Sequence, residues 1–259
     1  MDITGKVALV TGGAVRVGRA IAMGLAASGT HLALHYHRSA DAAREAVAEA
    51  RRMGVEAVAI GADLADPAQV ETLARAAESH FGRVDILIHS ASPFVRASLQ
   101  ETTPELWRHV MGVLVDAFFL LARHLTPGMV ARGEGNIVVI LDRGTFDPWP
   151  AFLAHSVGKS ALWALARNLA VELAPLVRVN GIVPGPLLPP PGYTSEEIVR
   201  IAAGTLLGRW GAPADLVDAL LFLLRADYVT GEVLFVDGGE RWAHRRPLTS
   251  PSSPGTGIT

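Results

Sequence analysis

Asp142, His155 and Lys159, three side chains able to move protons, lie in the middle of the chain. His155 and Lys159 are four residues apart in the apolar stretch from Phe152 to Leu173, which reads as a helix, so they share a face. An imidazole titrates near neutrality and can act as acid or base. A neighbouring ammonium lowers its pKa and a neighbouring carboxylate raises it, so the set is a candidate proton-transfer site. Asp142 follows the apolar run Ile137 to Leu141. A carboxylate at the end of a buried strand is costly without a partner, and if kept protonated it could donate to a ring nitrogen unaided. His155 taken alone reads equally well as an ordinary helix histidine.

A second stretch suits phosphate. Val10-Thr11-Gly12-Gly13-Ala14-Val15-Arg16-Val17-Gly18 follows the short apolar run Val7 to Val10 and leads into a helical pattern from Arg19 to Ala27. A strand turning through glycines into a helix lets backbone approach a pyrophosphate and aims free N–H groups at it. Gly12, Arg16, Val17 and Gly18 are the candidate contacts. The next strand ends in His35-Tyr36-His37-Arg38-Ser39, with no carboxylate before Asp41. A carboxylate there would accept from the ribose 2′-hydroxyl of NAD. Arg38, Ser39 and His37, with Arg16 reaching the same place, instead suit a 2′-phosphate and hence NADPH. Ser39 is also placed to cap a helix. Asp63 and Leu64 could border the adenine, and the small residues Ser90, Ala91 and Ser92 could let backbone approach the cofactor. Phe94 could stack on a flat ring or belong to the core. His89 reads as a strand-end histidine, and Arg96, Arg143 and Asp147 as solvated loop residues.

These residues need a frame, and the pattern supplies one. Strand-like runs at Leu32–Leu34, Val55–Ile60, Val84–Ile88, Ile137–Leu141, Val177–Ile182 and Val233–Val236 alternate with helical ones. The helices are expected over Ala42–Arg52, Ala68–His80, Pro104–Leu125, Phe152–Leu173 and Leu216–Leu224. Such alternation predicts a single α/β domain over residues 1–245, Rossmann-like, with a doubly wound parallel sheet covered by helices on both faces. Ligands on that sheet belong at the carboxyl ends of the strands. Leu187 to Gly192, with Pro189-Pro190-Pro191, reads as a lid or a rigid connector. The Ser/Pro/Gly-rich tail 246–259 is expected to be disordered.

Composition narrows the partners. A net charge of −2 and no long basic run argue against nucleic acid and anionic membranes. The chain has no cysteine, which excludes disulfides and thiolate chemistry, and no His/Asp/Glu cluster has metal-ligand spacing. No export signal and no run of about 18 apolar residues is found, so a cytoplasmic location with no membrane partner is expected.

Residues 5 to 240 resemble the short-chain dehydrogenase/reductase family, and within it the pteridine reductases. Thr11-Gly12 through Arg16-Val17-Gly18 is similar to that subgroup's turn, where Arg replaces a glycine. His35 to Ser39 resembles its NADPH-selecting segment, and Ser92-Pro93-Phe94 falls where its pterin-stacking Phe lies. Val179 to Pro186 resembles the family's Pro-Gly segment beside the nicotinamide, which implicates Pro184 and Gly185. Thr230-Gly231-Glu232-Val233 and Val236 to Gly239 resemble its C-terminal strand signature.

The catalytic pattern departs from the family's Asn, Ser and Tyr-x-x-x-Lys. The Asn position is Leu114, the Ser position is Asp142 as in pteridine reductases, and the Tyr position is His155; Lys159 is kept. The family's Asn-Asn-Ala-Gly segment is His89-Ser90-Ala91-Ser92 here. The resemblance implies an NADPH-dependent oxidoreductase reducing a pterin-like heteroaromatic or small carbonyl substrate. Asp142 and His155 would supply the proton, Lys159 would hold the nicotinamide ribose, and Phe94 and Arg16 would meet the substrate. It further implies a homo-oligomer, a tetramer. Leu114 and His155 keep open the other reading, a dinucleotide-binding sensor or scaffold without reductase chemistry.

Overall fold

The computed structural model describes residues 1–190 and 192–245; Pro191 and the tail 246–259 lie outside the described residues. Seven parallel strands form one sheet in the order β3-β2-β1-β4-β5-β6-β7. They are β1 Val7–Thr11, β2 His31–Tyr36, β3 Ala57–Gly61, β4 Ile86–His89, β5 Gly135–Ile140, β6 Val177–Pro184 and β7 Val233–Val236. The helices are α1 Arg16–Ala27, α2 Ala40–Arg52, α3 Pro67–Phe81, α4 Pro104–Met111, α5 Ala117–Ala131, α6 Leu153–Leu173, α7 Ser195–Ala203 and α8 Pro213–Arg225. The predicted α/β class holds, with one doubly wound parallel sheet.

Both faces of the sheet are covered, which explains why its strands read as unbroken apolar runs. Every residue of β1 is buried. Val7 and Leu9 point into a core with Leu73 of α3, Phe118 and Leu121 of α5, and Leu162 of α6. Ala8 and Val10 point the other way, onto Ile21 and Leu25 of α1, Val47 of α2 and Leu216 and Leu220 of α8. The period of two along the strand thus builds two cores from one segment. The strand order reverses beside β1, since β2 and β4 flank it and later strands run outward from each. That reversal opens a crevice at the carboxyl ends of β1, β2 and β4.

Helix starts follow local rules. Asp66 accepts the Ala68 N–H at 2.9 Å with Pro67 at the first helical position, and Thr103 accepts the Leu106 N–H at 3.2 Å ahead of Pro104. The helix expected over Pro104–Leu125 differs in two ways. A π turn, Gly112–Asp116, interrupts it, and α5 runs on to Ala131 with Pro127 inside. Apolar spacing carries no mark for one extra residue in a turn, and burial of Met129 against the sheet outweighs the hydrogen bond that proline forgoes. By length and composition alone Pro104–Ala131 could cross a membrane. Here Phe118, Leu121, Leu125 and Met129 are fully buried in the core.

Candidate active site

The crevice holds a cleft of ≈ 550 Å³ walled by the glycine turn, the ends of β2 and β4 and the loop after β3. Its floor depends on missing side chains. A Cβ on Gly18 would stand 2.1 Å from the Gly12 carbonyl oxygen, and Gly12 itself has φ +65, with Ala91 close beside it. The turn therefore closes tightly enough to bring β1 and β4 backbone together. α1 begins with Val15 as its cap, with no side-chain cap and no acidic residue in its first turn. Its first N–H groups are left to an anionic ligand, as a pyrophosphate-binding turn requires.

At the β2 end, His37, Arg38 and Ser39 line the cleft together, facing Asp63 and Leu64. Asp63 accepts the Ala65 N–H at 2.9 Å and lies 3.9 Å from His37. Arg16 goes elsewhere. Its guanidinium donates to the Leu188 carbonyl at 3.0 Å and the Pro189 carbonyl at 3.5 Å, in the Pro-rich segment after β6. β2 and β6 lie on opposite flanks of β1, so this direction takes Arg16 away from Arg38. Arg16 and Arg38 both line the cleft, but in this structure Arg16 is bonded to the proline segment rather than turned to Arg38. Arg16 adopts φ +52, a left-handed conformation that favours glycine, which sets the side chain toward β6. Its bonds tie Leu188 and Pro189 of the proline segment to the glycine turn. Pro184 ends β6 and Gly185 follows it, both outside the cleft wall; Gly185 donates to the Val236 carbonyl at 2.9 Å, and its Cα has no room for a Cβ against Asp237.

The proton-bearing residues do meet. His155 Nε2 lies 2.6 Å from Asp142 Oδ2, and His155 Nδ1 lies 3.0 Å from the Pro93 carbonyl oxygen. A turn at the end of β5 presents Asp142, and the first turn of α6 presents His155. Burial raises the Asp142 pKa, but the hydrogen bond from His155 and the Lys159 charge outweigh it and hold the carboxyl below its ordinary value. Lys159 is buried and donates to the Ile140 carbonyl at 2.7 Å. Burial lowers its pKa, opposed by the Asp142 charge.

Around this pair stand rings that sequence reasoning did not connect to it. Phe94 is 58% exposed and meets His155 edge-on, with centroids 5.0 Å apart, while Trp149 stacks parallel to it at 6.3 Å. Phe94 also stacks on Phe152 at 4.7 Å. An isolated bridge between Ala97 and Phe152 joins the two loops, and Ala151 between the rings has φ +61. Strain of that kind persists only where surrounding contacts impose it. Arg143 and Asp147 are not free loop residues: Arg143 pairs with Glu240 at 3.1 Å and Asp147 at 3.5 Å.

Leu114 sits fully buried in the π turn, filling the space opposite Gly158, where an added Cβ would meet it at 2.7 Å. No polar side chain replaces the family's Asn at that point. His89 is a satisfied histidine on one side only. Its Nδ1 pairs with the Thr11 hydroxyl at 3.2 Å, and the same oxygen accepts the N–H groups of Ser90 and Ala91 at 3.0 and 3.1 Å. The Thr11 proton thus goes to His89 Nδ1, which puts the ring proton on Nε2. That nitrogen lies toward the Val113 and Leu114 carbonyls without closing a hydrogen bond.

Burial, reinforced by the Lys159 charge, pushes the His89 pKa down to about 3. An unfolded histidine titrates near 6.5. Below that pH the unfolded chain binds a proton that the folded chain refuses, so stability falls as pH drops, until about 3. His89 alone is expected to cost about tenfold in the folding constant per pH unit within this window. Denaturant unfolding at several pH values should show a slope that His89→Asn reduces; equal slopes would contradict the assignment.

With this geometry in place, known proteins supply the family. A profile described as enoyl-(acyl carrier protein) reductase, of the short-chain alcohol-dehydrogenase type, matches residues 13–240. The chain belongs to the short-chain dehydrogenase/reductase family. This short-chain dehydrogenase/reductase is 32% identical to 3beta-hydroxysteroid dehydrogenase 1 of Eggerthella lenta over 246 residues, 92% of this chain and 94% of the relative. Its fold matches a blue fluorescent protein from a metagenomic library in complex with NADPH, at TM-score 0.85 and 31% identity, covering 93% of this chain and 99% of that one. It matches L-sorbose reductase of Gluconobacter frateurii, complexed with NADPH and L-sorbose, at TM-score 0.87 and 32% identity, covering 93% and 98%. No pteridine reductase stands among these three.

Proposed function

We propose that this short-chain dehydrogenase/reductase uses NADPH to reduce a carbonyl group on a small or flat substrate. The observation that carries the reading is the Asp142–His155 contact of 2.6 Å beside an exposed Phe94, joined through Pro93 to the wall of the cleft that presents Arg38. Bound NADPH supplies the hydride. The glycine turn and the start of α1 would hold its pyrophosphate, and His37, Arg38 and Ser39 its 2′-phosphate. Asp63 and Leu64 would border the adenine, Ser90 to Ser92 would line its path, and Pro184 and Gly185 would stand on the nicotinamide side. Lys159 would turn from the Ile140 carbonyl to the ribose.

Phe94 is placed to stack on the substrate, with Arg16 closing the mouth over it. A pterin-like ring draws support from Phe94, Asp142 and Arg16. A ketone draws additional support from the sorbose reductase, and we favour it. The reading of a binding protein without chemistry gains nothing from a carboxyl and imidazole held in such close contact. Loss of NADPH absorbance with a panel of ketones, dihydropterins and quinonoid pterins tests the proposal. Turnover of a ketone is the expected result; no oxidation across the panel would overturn it.

A further inference from the structure

We infer that Asp142 is the acid that meets the substrate and that His155 is a positioning residue, which stores the proton behind it. The direction of proton flow rests on the reductase reading above, whereas the location of the proton rests on the geometry alone. The Pro93 carbonyl can only accept, so His155 Nδ1 carries a hydrogen. Nε2 then stands 2.6 Å from a carboxyl oxygen. Without a proton between them, two lone pairs would face each other in a buried site. The resting pair therefore holds that proton, either as imidazolium with carboxylate or as imidazole with carboxylic acid. The other charge bearing on Asp142 is the Lys159 ammonium from α6. The loops packed against the pair bring the Pro93 carbonyl, the Gly144 N–H, which donates to the Asp142 carboxyl, and the rings of Phe94, Trp149 and Phe152.

Access divides the labour. The His155 side chain is 2% exposed, both of its nitrogens are engaged, and Phe94 and Trp149 cover its ring. The Asp142 side chain is 19% exposed. A family tyrosine would reach the substrate directly; the shorter histidine does not, and the carboxyl in front of it takes that place. As the substrate carbon gains the hydride, the carbonyl π pair moves to oxygen and forms an O–H bond with the proton on Asp142 Oδ2. That proton is the one the pair shares, so from the imidazolium form it leaves Nε2 as Oδ2 passes it on, and the N–H pair returns to the ring. The pair is left as neutral imidazole and carboxylate, one proton short, and takes its next proton from solvent at Asp142. Leu114 offers no side-chain hydrogen bond behind Lys159, so the pair is refilled at Asp142. Because Pro93 belongs to the loop that carries Phe94, a substrate docking on Phe94 also bears on the His155 tautomer.

The proton is tested without cofactor, by NMR of protein labelled with 15N-histidine. His155 should show a protonated Nδ1 and a far-downfield proton at Nε2, and Asp142→Asn should abolish the latter. A freely titrating ring indifferent to that substitution would overturn the inference. With a ketone that turns over, Asp142→Asn should cut kcat about 100-fold or more, as loss of a general acid does. His155→Phe should cut it less and move the alkaline limb of the kcat profile, with KM held. His155→Gln, still able to donate to Asp142, should restore kcat in part but not the limb. A larger kcat loss from His155→Phe than from Asp142→Asn would overturn the division of labour. Absence of turnover with every ketone would sink the reductase reading, and the NMR result would still decide where the proton sits.

Discussion

Lys159→Met is expected to leave a protein at least as stable as the wild type and nearly without turnover. The ammonium is 3% exposed, and its one hydrogen bond is to the Ile140 carbonyl. Burial lowers its pKa, which measures how poorly the site tolerates the charge. A methionine of similar length fills the same volume with no charge to desolvate. The proposed ribose contact is lost at the same time, and so is the positive charge that helps hold Asp142 ionised. A fall in kcat/KM of about 100-fold or more would follow, since one group serves both ends of the site. Thermal unfolding and steady-state kinetics on the same preparation decide the matter. A less stable variant that keeps its activity would mean that Lys159 is a structural lysine.

Arg38→Glu should reverse the nucleotide preference. A carboxylate at the end of β2 repels a 2′-phosphate and accepts from a 2′-hydroxyl. Removing one partner of a close charge pair costs about 2–5 kcal/mol, so NADPH affinity is expected to drop by about 100-fold, with NADH held or improved. Because Arg16 is engaged with Leu188 and Pro189, no second guanidinium stands ready to compensate. Calorimetry with both nucleotides reads the result. A wild type with no preference for NADPH would remove the basis of the whole assignment at this end of the cleft.

Local rules carried the sequence a long way. Strand-like runs separated by amphipathic stretches determined the layered sheet, because a strand buried on both faces must be apolar throughout. The step from Val10 through glycines into Arg19 determined a tight strand-to-helix turn, because Gly18 has no room for a Cβ against the Gly12 carbonyl. A spacing of four determined that His155 and Lys159 share a face; that Asp142 joins them was implied by the family resemblance alone. What tertiary structure alone decided was direction and company. Arg16, five residues past β1 and in a left-handed backbone conformation, bonds to the Leu188 and Pro189 carbonyls after β6. The π turn put Leu114 against Gly158, and the bridge from Ala97 to Phe152 drew Phe94 and Trp149 around His155. Above all, Pro93, 62 residues distant, set the tautomer of His155 through a backbone oxygen. A carbonyl is carried by every residue alike, so no residue type could announce that contact; only the folded distances reveal which one a buried imidazole will find.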